Sequence, residues 1–314
     1  MTGLVVYGAA GFVASTLLTG PSLPPLKLTL VDQESLEQSV LDPLSLTHIQ
    51  VEVVQSSSMA DIVADDADVL LVLAGQTDVD QALAEPALAF DTNITIAVES
   101  AEWWRCHPQV RLIYLSSDEV LGASSYPLNE EAPFRPTQPY AASKAAAEMT
   151  LRCYSESYGL ELVVIRSCNL VGSRQRARKL IPTTVQHLAS GLPVPIFGDG
   201  SHRREYLAVE DLCEVILQAI IRTLPTGTYN CTSGIALQTT EVVAIVAEAL
   251  GIEPICSQVK DRLVHDRCYA MDASKLSAHG WKPQITPADA ISVAAIELKS
   301  AWDNGQALTH RSYH

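Results

Sequence analysis

No apolar run in the chain approaches the roughly 18 residues that would suggest a membrane span. Positive charge is also scarce. Lys and Arg number 21 against 36 Asp and Glu, a formal net charge of −15, and the basic clusters that a nucleic-acid backbone requires are missing. An anionic small ligand stays open if a few arginines converge on it. The seven cysteines include no C-x-x-C pair. Their odd number, and settings such as "IRSCNL" and "YNCTS", point to buried thiols in a reducing compartment rather than to a disulfide framework. The first strand-like run, "GLVVYG", begins at Gly3 and leaves no room for a charged leader with a cleavable apolar segment, so a cytoplasmic protein is expected. Internal repeats, low-complexity tracts and long linkers are missing too, which leaves the lobes expected to pack as one unit. What remains is an ordinary globular composition, 47% hydrophobic and 18% charged over 314 residues. That length suits one large domain or a main domain with a smaller appendage.

From Gly3 to about Arg222 short β-branched runs alternate with longer amphipathic stretches, as repeating βα units do. "LVVYGA", "LKLTLVD", "VEVVQ", "VLLVLAG", "RLIYLSS" and "ELVVIRS" are nearly continuous apolar runs, the mark of buried parallel strands. Helices are expected at Phe12 to Leu18, Pro86 to Cys106 and Ala141 to Tyr158, the last ending at Gly159 as a C-cap. The fold class is α/β: a Rossmann-like doubly wound parallel sheet with a smaller C-terminal lobe. A nucleotide-binding domain is expected over residues 1–172 with returning segments from 203–232, and a second lobe over residues 173–314, where the rhythm loosens into "RQRARKLIP", "FGDGSH" and a helical "TTEVVAIVAEALG".

"VVYGAAGFVAS" is a strand followed by Gly8 and Gly11, with Ala14 where a third glycine is often found. Such a loop lets backbone N–H groups and a helix N-terminus approach a pyrophosphate, although a tight strand-to-helix turn alone would read the same way. The second strand ends at Asp32, 24 residues after Gly8. A carboxylate there can accept both ribose hydroxyls of an adenosine and repel a 2′-phosphate, favouring NAD over NADP.

"YAASK" places Tyr140 and Lys144 four residues apart at a helix start, where i and i+4 share a face. With 10 tyrosines and seven lysines in the chain, chance yields roughly 0.2 such pairs, so the motif alone is only suggestive. A lysine ammonium so placed is expected to draw the phenol's pKa down toward the working pH. "LIYLSSDEVLG" ends a strand with Ser116, Ser117, Asp118 and Glu119, and strand C-terminal ends are where ligands bind in open α/β sheets. Two adjacent carboxylates there can divide acid and base work if their surroundings differ; in isolation they would read as an acidic turn facing water.

Taken together, "GAAGFVAS", "LAGQTDVDQA", "FDTNITIAVES", "SSDEVLG", "PYAASKAAAE", "KLIP", "RREYLAVEDL" and "HDRCYAMDASKLSAHGWKPQITPADAI" resemble the extended short-chain dehydrogenases/reductases. More narrowly they resemble the nucleotide-sugar dehydratases typified by dTDP-glucose 4,6-dehydratase. The resemblance implies tightly held NAD, contacted by Gly8, Gly11, Phe12, Val13, Asp32, Leu73, Ala74, Gly75, Asn93, Ser116, Tyr140 and Lys144. It implies Tyr140 as base for the sugar 4-hydroxyl, Lys144 as its electrostatic partner, Ser117 as donor to the forming carbonyl, Glu119 as base at C5 and Asp118 as acid for the departing 6-hydroxyl. Thr77, Asp118, Glu119, Asn169, Lys179, Leu180, Pro195, Ile196, Arg204 and Arg262 are the implied contacts to a nucleotide-diphosphate hexose. No metal ligand set is assigned. A homodimer pairing the helix beginning near Asn93 with the Tyr140 helix is also implied.

Several positions depart from the family's pattern. "QSSSMAD" lacks the Asp-Ile step that meets adenine, Gln81 stands for an arginine, Leu121 for a tyrosine, and "NLVG" for "NNYG". Lost polar groups keep an altered sugar or a 5,6-elimination open, beside a 4-epimerase or decarboxylase of the same fold and, from another class, a non-catalytic NAD-binding scaffold or redox sensor.

Overall fold

A computed structural model of the chain describes residues 2–304, apart from 21, 22, 25, 46–49, 64, 65, 176 and 263. The elements in chain order are β1 (Thr2–Tyr7), α1 (Phe12–Thr19), β2 (Leu26–Asp32), α2 (Gln38–Ser45), β3 (Gln50–Gln55), β4 (Val69–Val72), α3 (Val79–Ala84), α4 (Pro86–Cys106), β5 (Arg111–Ser117), α5 (Pro139–Tyr158), β6 (Leu162–Ser167) and β7 (Asn169–Val171). There follow α6 (Leu180–Ala189), β8 (Val194–Phe197), β9 (Arg203–Ala208), α7 (Val209–Ile220), β10 (Gly227–Cys231), β11 (Ala236–Gln238), α8 (Thr239–Leu250), β12 (Cys256–Val259), α9 (Ser274–Ala278) and α10 (Pro287–Asp303).

The chain divides into two compact units. The first holds residues up to Gly122, Ala132–Ser167 and Leu212–Cys231. Its sheet runs β10-β6-β5-β4-β1-β2-β3, every neighbouring pair parallel. That is the doubly wound order, in which the direction of winding reverses between β1 and β4 and opens a ligand crevice at their C-terminal ends. The apolar runs explain the burial: Val6, Leu28, Leu30, Leu70 and Ile113 are almost wholly covered. β3 departs from the expectation of a buried strand. It is the edge of the sheet, with Val51 and Val53 exposed. α4, which spans Pro86 to Cys106 as the sequence predicts, lies along α5, and Ala97, Ala101 and Ala147 are completely buried in the same core cluster as Trp104.

The second unit holds Ala123–Glu131, Cys168–Asp211 and Thr232 onward. The division therefore falls at Ser167 and not at residue 172, because β7 pairs with β9. Residues 203–211 likewise group with this second unit: β9 also pairs antiparallel with β11, and β8 pairs parallel with β12. α6, α8 and α10 close over a core built on Val185, Val246, Ile291 and Leu298.

All seven cysteines are free. Cys168, Cys213 and Cys231 are buried as expected, but Cys106, Cys153 and Cys256 are exposed and Cys268 is half-buried, so hydrophobic settings in sequence did not guarantee burial.

Candidate active site

The loop after β1 shows why glycine is needed. Gly8 has φ +94°, and a Cβ there would come within 2.4 Å of the Ala74 nitrogen, in the loop after β4. Only glycine lets these two switch-point loops approach so closely. Gly11 is the N-cap of α1 and offers no side-chain cap, so the N–H groups of the first turn are left for an anion. Phe12 is half-buried and Val13 buried. Asp32, at the end of β2, accepts from the Ala10 N–H and the Glu34 N–H, both at 2.9 Å, one to each carboxylate oxygen. Each oxygen keeps a second lone pair. A glycine cradle, a helix start without a side-chain cap and a braced carboxylate fit a dinucleotide.

Leu73, Ala74, Gly75 and Thr77 form the loop after β4, half-buried. Asn93, 3% exposed, accepts from the Gln76 N–H at 2.9 Å and donates to the Gln76 carbonyl at 3.2 Å and to Ser143 Oγ at 2.8 Å. Ser143 in turn donates to the Tyr140 carbonyl. Asn93 thus fixes the loop against the helix that carries the tyrosine.

α5 starts with Pro139 in its first turn and Gln138 as N-cap, whose Oε1 accepts from the Tyr140 N–H at 2.7 Å. Tyr140 and Lys144 follow on one buried face. The Lys144 Nζ donates to the Leu115 carbonyl at 2.7 Å and sits 4.3 Å from the centre of the Tyr114 ring. Burial pulls its pKa down to about 7, and Glu148 opposes that shift. The expected lowering of the tyrosine is not found. Burial first, then the charge of Glu119, hold the Tyr140 phenol above its ordinary value, against a hydrogen bond shared with Ser117.

Ser117 Oγ donates to Asp118 Oδ1 at 3.1 Å and accepts from the Glu119 N–H at 3.3 Å. The two carboxylates stand in different surroundings: Asp118 is 4% exposed, whereas Glu119 is half-buried and accepts from the Gln138 side-chain amide. Ser116 faces away from this group and donates to Glu148 at 2.8 Å. Gln138 and Glu148 were absent from the sequence reading. Glu148 carried a readable signal, since it repeats the four-residue spacing of Tyr140 and Lys144.

In the second unit, Asn169 donates to the Glu205 carbonyl at 3.3 Å, Lys179 is the exposed N-cap of α6 and Leu180 its first residue. Ile196 belongs to the apolar core, while its neighbour Pro195 is half-buried. Arg204 lies 4.5 Å from the Tyr269 ring centre and Arg262 lies 4.9 Å from that of Phe197. Burial lowers the His265 pKa most, its hydrogen bond to Asp261 raises it, and the charges of His202, Arg204 and Arg262 lower it further. His202, Asp261 and His265 offer donor atoms within 4.8 Å of one another. Yet the two imidazoles stack 3.5 Å apart at 11°, and nearly parallel rings do not share the in-plane point that a common metal ion needs.

A sequence profile of the NAD dependent epimerase/dehydratase family matches residues 4–232. A low-salt glycan biosynthesis protein, Agl12, of Haloferax volcanii is 33% identical over 90% of this chain and 93% of its own. A dTDP-glucose 4,6-dehydratase of Streptomyces griseus is 31% identical over 96% of each. Among solved structures, the dTDP-glucose 4,6-dehydratase DesIV of Streptomyces venezuelae, with NAD bound, superposes with a TM-score of 0.90 at 27% identity, covering 98% of this chain and 100% of its own. A UDP-glucose 4-epimerase of Thermus thermophilus, also with NAD, gives 0.82 at 25% identity, covering 96% and 100%.

Proposed function

Because the chain belongs to the NAD dependent epimerase/dehydratase family, with NAD as cofactor and a nucleotide sugar as substrate class, we propose that it is an NDP-hexose 4,6-dehydratase, forming an NDP-4-keto-6-deoxyhexose. The observation that carries the choice is the Asp118–Glu119 pair, set beside Ser117 and Tyr140 and held in unequal surroundings. Elimination of water needs one group to take a proton and another to give one, and unequal surroundings separate an acid from a base. Epimerisation at C4 needs neither.

Bound NAD would supply the hydride acceptor for C4 and the hydride donor for C6, and in its oxidised form a positive ring. Tyr140 takes the proton of the sugar 4-hydroxyl, with the Lys144 ammonium favouring the phenolate. Ser117 donates to the oxygen that becomes the C4 carbonyl. That carbonyl acidifies the C5 hydrogen, which Glu119 removes while Asp118 protonates the departing 6-hydroxyl, releasing water; as C6 receives hydride, Glu119 returns a solvent-exchanged proton to C5. Arg204 and Arg262 hold the diphosphate, each guanidinium suited to bidentate phosphate bonding; Asn169, Lys179, Leu180, Pro195 and Ile196 line the nucleotide-sugar site. The enzyme is cytoplasmic, its free cysteines fitting a reducing compartment, and no described helix is long and apolar enough to cross a membrane. It works as a homodimer through α4 and α5, on which Leu88, Val98 and Met149 are exposed.

The test is to incubate the protein with dTDP-, UDP-, GDP- and CDP-hexoses in deuterated water and follow the products by mass spectrometry and NMR. Loss of one water from one of the four, with one deuterium at C5 of the product, supports the 4,6-dehydratase and names its nucleotide. An isomer of unchanged mass supports the 4-epimerase, and an alkene between C5 and C6 the 5,6-dehydratase.

A further inference from the structure

One fully buried charged group has no part in the chemistry so far. Glu148 lies one turn beyond Lys144 on the inward face of α5, with a side-chain exposure of 0%. Its Oε1 accepts from Arg166 at 2.8 Å and from Arg152 at 3.0 and 2.8 Å, and its Oε2 accepts from Arg166 at 3.2 Å and from Ser116 at 2.8 Å. A buried carboxylate is costly unless so paired, and a buried apolar side chain would have filled the space without that cost.

We propose that Glu148 is a positioning residue for the site, which keeps the Lys144 side chain charged and aimed by two routes. Its carboxylate lies on the same helix face at i+4. It also holds the Ser116 hydroxyl, and Ser116 follows Leu115, whose carbonyl takes the Lys144 ammonium.

The other groups around Lys144 make the role specific. Tyr140 stands one turn before it on α5, Tyr114 faces it from β5, Gly75 comes near it from the loop after β4, Asp118 and Glu119 belong to the turn after β5, and Arg166 projects from β6. Glu148 is the charge that raises the Lys144 pKa against burial. Arg166 and Arg152 anchor it, and Phe134 lies 5.1 Å from the Arg166 guanidinium.

The test reads Lys144 directly and needs no substrate, so it stands apart from the choice between dehydratase and epimerase, although its catalytic meaning rests on the proposed use of Tyr140 and Lys144. The chain has seven lysines, few enough for NMR of protein labelled at lysine Nζ, with Lys144→Met giving the assignment. The expected result is that Lys144 titrates at a lower pH in Glu148→Gln than in the wild type, and that Glu148→Asp, which keeps the charge, restores most of the difference. Should Glu148→Gln not fold because Arg166 is left unpaired, Glu148→Gln with Arg166→Met is compared with Arg166→Met alone, so that only the Glu148 charge differs between the two, and Lys144 is again expected to titrate at the lower pH in the protein without it. Unchanged titration in the folded variants, with stability alone reduced, would overturn the proposal.

Discussion

Gln138 donates a hydrogen bond from its side-chain Nε2 to the carboxylate of Glu119. The same amide accepts from the Tyr140 N–H at 2.7 Å through its Oε1. One residue therefore caps the helix that carries the tyrosine and holds the carboxylate proposed to act at C5.

Gln138→Ala should cost about 1 kcal/mol of stability from the lost cap. It should lower the rate of C5 proton exchange on the order of tenfold to a hundredfold, because the released Glu119 is no longer held in place. Thermal unfolding and a solvent-exchange assay check the two effects separately. Normal exchange with reduced stability would leave Gln138 a cap only.

The stability contributed by Lys144 should depend on pH in a definite sense. Its folded pKa, near 7, lies below the ordinary lysine value, so between pH 7 and about 10.5 the unfolded chain binds more protons than the folded one. Stability from this group is complete above that window and is lost as pH falls toward 7. Denaturant unfolding of the wild type and Lys144→Met across this range should show the wild type gaining relative to the variant as pH rises. A difference constant with pH would contradict the buried-ammonium picture.

Gly8→Ala should abolish NAD retention and destabilise the fold on the order of 1–3 kcal/mol, since alanine is strained at φ +94° and its methyl would meet the Ala74 backbone. Asp32→Ser should instead leave a folded protein in which NADP binding improves relative to NAD, because the repelling carboxylate is gone while a hydroxyl remains. Fluorescence titration with both cofactors checks the pair.

In the second unit, Arg262→Met should raise KM for the nucleotide sugar on the order of tenfold or more through the loss of a charge-assisted contact, with bound NAD unchanged. Arg204→Met should behave alike. An unchanged KM in both would remove the diphosphate assignment.

Much of the first unit was legible in the sequence because its signals are local. The apolar runs of β1 to β6, Gly159 in the left-handed conformation at the end of α5, and the 24-residue step from Gly8 to Asp32 depend on few distant contacts. What escaped depends on partners far along the chain. β3 carries the same apolar pattern as its neighbours, and only the strand order makes it an exposed edge. Glu148 meets Arg166 and Ser116 only when α5 docks on β5 and β6. The phenol's shift shows the same limit: spacing places Lys144 beside Tyr140, but burial and Glu119 determine the direction. The stretch 123–131 joins the second unit through a bridge between Leu128 and Met271, which no periodicity announces.

The most direct test of the account is solvent exchange at C5 during turnover of the accepted NDP-hexose in deuterated water, followed by NMR and mass spectrometry for the wild type and Glu119→Gln. A wild-type product that has lost one water and carries one deuterium at C5, with neither change in Glu119→Gln, is the predicted result. An isomer of unchanged mass, formed equally well by both proteins, would contradict it.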